Sequence, residues 1–95
     1  MSEDKQGFLK RADAHIFLAN EQINEEVTSG EVSASFMYGM TRFNAWIAAQ
    51  SFASKEEMIA EKEEAIDYFV KQYKQMLIEH LNEHIEKYLR LIACN

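Results

Sequence analysis

A chain of 95 residues with sixteen acids, ten bases and a net charge of −6 at pH 7 is sized for one domain spanning residues 1–95. Its bases are dispersed, so it lacks the cationic surface that displaces counterions from nucleic acid or holds an anionic membrane. With 47% hydrophobic and 27% charged residues it has the make-up of a folded soluble domain, and the lack of proline together with only three glycines leaves few turns. The expected fold class is all-α: three long antiparallel helices with short connections, near residues 4–27, 33–52 and 55–92.

The first helix carries Phe8, Ala12, Ile16, Ala19, Ile23 and Val27 at spacings of three and four, one apolar stripe. His15 sits at the edge of that stripe as a boundary residue. Thr28-Ser29-Gly30 is expected to end the helix, with Gly30 at positive φ just past the last turn.

The second stretch, Ser33 to Ser54, holds the single Trp, no acid and one cation, Arg42. Ser33 is the expected N-cap. Apolar residues fall on nearly every side of this helix, which predicts burial on more than one face. Ala45, Ala49 and Ala53 form a small-residue seam, and Gly39 leaves room for a neighbour. The methionines of helices two and three read as core filler.

Ser54-Lys55-Glu56-Glu57 fits a capping box, and its acids suit the positive end of the helix dipole. From Lys55 no glycine or proline follows. An unbroken helix to Ala93 would be ~58 Å long, against ~30–35 Å for each of the first two. Its apolar stripe is Ile59, Ile66, Phe69, Val70, Tyr73 and Met76 in the first half, and Leu77, Leu81, Ile85, Tyr88, Leu89 and Ile92 in the second. The two stripes are offset by roughly 90° on a helical wheel, more than the ~20° per heptad of an ideal helix. Either the helix breaks near Glu79 to Asn82 and folds back, or its second half packs on another chain. The absence of breakers favours continuity.

Met1-Ser2-Glu3-Asp4 begins no signal peptide, no stretch reaches the ~18 apolar residues of a membrane span, and Cys94 is the single cysteine. A reducing cytoplasm is the expected location.

Leu18-Ala19-Asn20, Val32-Ser33-Ala34, Met37-Tyr38, Arg42-Phe43-Asn44-Ala45, Lys62-Glu63-Glu64-Ala65-Ile66 and Tyr68-Phe69 together resemble a small proteobacterial family of uncharacterised cytosolic proteins, a domain of unknown function. The resemblance covers roughly Phe8 to Tyr88. It implies a bacterial source and no assigned activity, and it carries over no catalytic residue.

His80 and His84, four apart with Glu79 and Glu83 beside them, are the candidate metal ligands. Two histidines do not complete a site, and the commoner role of such a pair is as half-buried helix-face residues. Arg42 and Asn44 are the polar exceptions of the central helix. They act either as a ligand-orienting pair with Tyr38, or as structural groups, with Arg42 meeting a carboxylate of helix three among Glu61, Glu63, Glu64 and Asp67. No nucleophile with a base beside it, no phosphate loop and no acid/base pair stands out, so no enzyme activity and no cofactor are expected. The leading expectation is a homodimer acting by binding, as an adaptor or regulatory partner, through Leu81, Ile85, Tyr88, Leu89 and Ile92. The alternatives are a metal-binding protein using His80 and His84, and a small enzyme or ligand-binding domain with Arg42, Asn44 and Tyr38 in a pocket.

Overall fold

The computed structural model describes residues 4–94, with side chains for residues 4–88. It contains three helices, α1 (Lys5–Gln22), α2 (Ser29–Gln50) and α3 (Lys55–Cys94), and among the described residues no strand. The all-α class and the three-helix order hold. The chain divides into two compact units, Met1–Ile47 and Ala48–Asn95.

In the first unit, Asp4 caps α1: its carboxylate accepts from the Gln6 amide at 3.2 Å. The helix stops at Gln22, five residues short of the expected end at Val27. Asn24 is the reason. Its side-chain oxygen accepts from the amides of Glu26 and Val27 at 2.8 and 2.9 Å, while its own amide donates to the Val27 carbonyl at 3.1 Å. Asparagine thus offers these amides a local partner in place of helix carbonyls.

The start of α2 also differs from expectation. Thr28, not Ser33, is the cap. Its hydroxyl accepts from the Glu31 amide at 3.1 Å, and the Glu31 carboxylate accepts from the Thr28 amide at 3.0 Å. That is a reciprocal capping box spelled Thr-Ser-Gly-Glu. Val27 and Val32 stand at the two positions of a hydrophobic staple around it; the first is half-buried and the second buried. Gly30 therefore belongs to the first turn of α2 and not to the end of α1, and among the described residues no glycine has positive φ. The His15 ring faces the Phe36 ring at 6.4 Å. These residues lie at similar distances from the connection, so α1 and α2 run side by side at least that far.

In the second unit, the last turn of α2 tightens. The Ser51 and Phe52 amides donate to the carbonyls three residues back, Ala48 and Ala49, at 3.0 and 3.4 Å. Ser54 then caps α3 as expected, accepting from the Glu57 amide at 3.1 Å. The reciprocal arm differs by one residue, because Glu57 accepts from the Ala53 amide at 3.4 Å. From there α3 runs 40 residues without a break, about 60 Å, so the fold-back near Glu79 to Asn82 does not occur.

Among the described residues only Val32 is buried. The expected first stripe is covered at its small members: Ala12, Ala19 and Val27 are half-buried, while Phe8, Ile16 and Ile23 are exposed. Met37, Met58 and Met76 are exposed too, and Met40 is half-buried, so the methionines do not fill a core of this chain.

The cap assignment makes a direct prediction. Thr28→Ala should lower the unfolding free energy by about 1 kcal/mol at fixed protein concentration, whereas Ser33→Ala, inside the helix, should change it by less than ~0.5 kcal/mol. Urea denaturation of both variants checks this; a larger loss for Ser33→Ala would contradict it.

Candidate functional site

Helical spacing decides which polar residues can meet. Arg42 and Asn44 are two apart, so they lie on nearly opposite sides of α2. Asn44 is half-buried and Arg42 exposed, and they do not form a joint ligand site. Within its own unit Arg42 lines an open depression of about 590 Å³ with Gly39, Phe43, Ala45 and Trp46. The Phe43 and Trp46 rings stand 5.9 Å apart at 42°. The carboxylates expected to pair with Arg42 belong to α3, in the other unit, and that pairing stays an expectation. Nearby hydroxyls serve their own helix: Ser35 donates to the Val32 carbonyl and Thr41 to the Tyr38 carbonyl, each at 3.0 Å. Among the described residues the lining is aromatic with one cation and no nucleophile.

Ala45, of the expected small-residue seam, lines the depression and is exposed, while Ala48 and Ala49 are half-buried. A methyl group added at Gly39 would meet nothing within 4 Å, so among the described residues no neighbour occupies the room this glycine leaves.

His80 and His84 are both exposed on α3. Glu83, one of the acids beside them, is held by Lys87 at 3.3 Å in an exposed pair one turn on, worth at most a few tenths of a kcal/mol. Among the described residues no group of three or more His, Cys, Asp or Glu side chains is gathered to hold a metal ion.

The C-terminal apolar stripe is the other candidate. Leu81 is 52% exposed, Ile85 57% and Tyr88 65%; the side chains of Leu89 and Ile92, the remaining expected members, lie outside the described residues, as does that of Cys94. Earlier on α3, Ala65 and Phe69 are half-buried, and the Tyr68 ring meets Phe69 edge-on at 5.2 Å. No helix among the described residues is long and apolar enough to cross a membrane.

Two predictions test these surfaces. Gly39→Ala should stabilise the chain by about 0.5–1 kcal/mol, because alanine restricts the unfolded chain and α2 has space for it; a loss of stability would show that something packs on the bare backbone. Purified protein should hold no stoichiometric zinc, since two histidines leave half of a tetrahedral site unfilled. Elemental analysis giving one metal per chain, lost in His84→Ala, would contradict the second.

The family model described as a protein of unknown function (DUF3144) matches residues 8–85. The chain is similar to a solved structure, an NMR structure of the protein NB7890A from Shewanella sp, at 42% identity over 99% of each chain with a TM-score of 0.83. No curated protein matches.

Proposed function

The chain belongs to the DUF3144 family of proteins of unknown function, and we propose that it is a non-catalytic helical protein of the cytoplasm that works by binding, first of all to a second copy of itself. In this reading the three helices lie antiparallel, and two chains complete a larger helical bundle. Its role is that of an adaptor or regulatory partner, with neither nucleic acid nor membrane as its target, in keeping with the net charge of −6.

The observation that carries the reading is the exposed apolar row Leu81, Ile85 and Tyr88 on a helix that continues unbroken. An unpaired row of this kind marks an interface. A two-fold dimer is the commonest closed way to bury it.

Sedimentation equilibrium at micromolar concentration tests the reading. The expected mass is twice 11.1 kDa. Leu81→Glu and Ile85→Glu should each weaken association by at least ~2 kcal/mol, roughly thirtyfold in Kd, with helical circular dichroism retained. A monomer at all concentrations, with both variants unchanged in mass and stability, would overturn the proposal.

A further inference from the structure

We draw no further inference here: the strongest candidate, the open depression on α2 lined by Gly39, Arg42, Phe43, Ala45 and Trp46, sets one cation among apolar groups, and nothing in the structure shows what covers it.

Discussion

Helices of 18, 22 and 40 residues are about 27, 33 and 60 Å long. The connection and the His15–Phe36 contact at 6.4 Å hold α1 and α2 side by side, so between them they offer one length of ~33 Å, not two laid end to end. α3 is nearly twice the length of α2, and its apolar row Leu81, Ile85 and Tyr88 is exposed. In the proposed dimer a second copy covers that row.

The lengths are set by local chemistry and not by glycine or proline. Asn24 ends α1 by capturing two amides that would otherwise continue the helix. Thr28 with Glu31 and Ser54 with Glu57 then start α2 and α3. Each cap is worth about 1 kcal/mol, small beside the burial terms, yet together they decide where the chain turns. After Ser54 no comparable device occurs, and α3 continues because nothing stops it. What α3 then presents is the exposed apolar row Leu81, Ile85 and Tyr88; among the described residues no metal ligands are gathered and no nucleophile lines the Arg42 depression.

Much of this was legible beforehand. The absence of breakers announced long helices, and Ser54-x-x-Glu57 marked the start of α3. The Thr28-x-x-Glu31 box was equally readable, but Gly30 beside it resembles a helix stop, and Ser33 at the edge of the apolar run drew the cap five residues too far. The stop at Asn24 could not be told from an ordinary helical asparagine without its side-chain rotamer. Along α3, Phe69 of the expected first stripe is half-buried while Ile59, Ile66, Val70, Tyr73 and Met76 are exposed, a distinction that periodicity does not carry. Arg42 and Asn44 looked like a pair because they are close in sequence, whereas two residues along a helix is the spacing that keeps side chains apart.

The central claim is that covering the apolar face of α3 with a second copy is part of what makes the chain stable. Folding and association are then linked, and the thermal midpoint must depend on protein concentration. Circular dichroism melts across a hundredfold range of concentration measure this directly. A rise of roughly 5–10 °C is the predicted result, and a midpoint independent of concentration, in a chain that sediments as a monomer, would contradict the account.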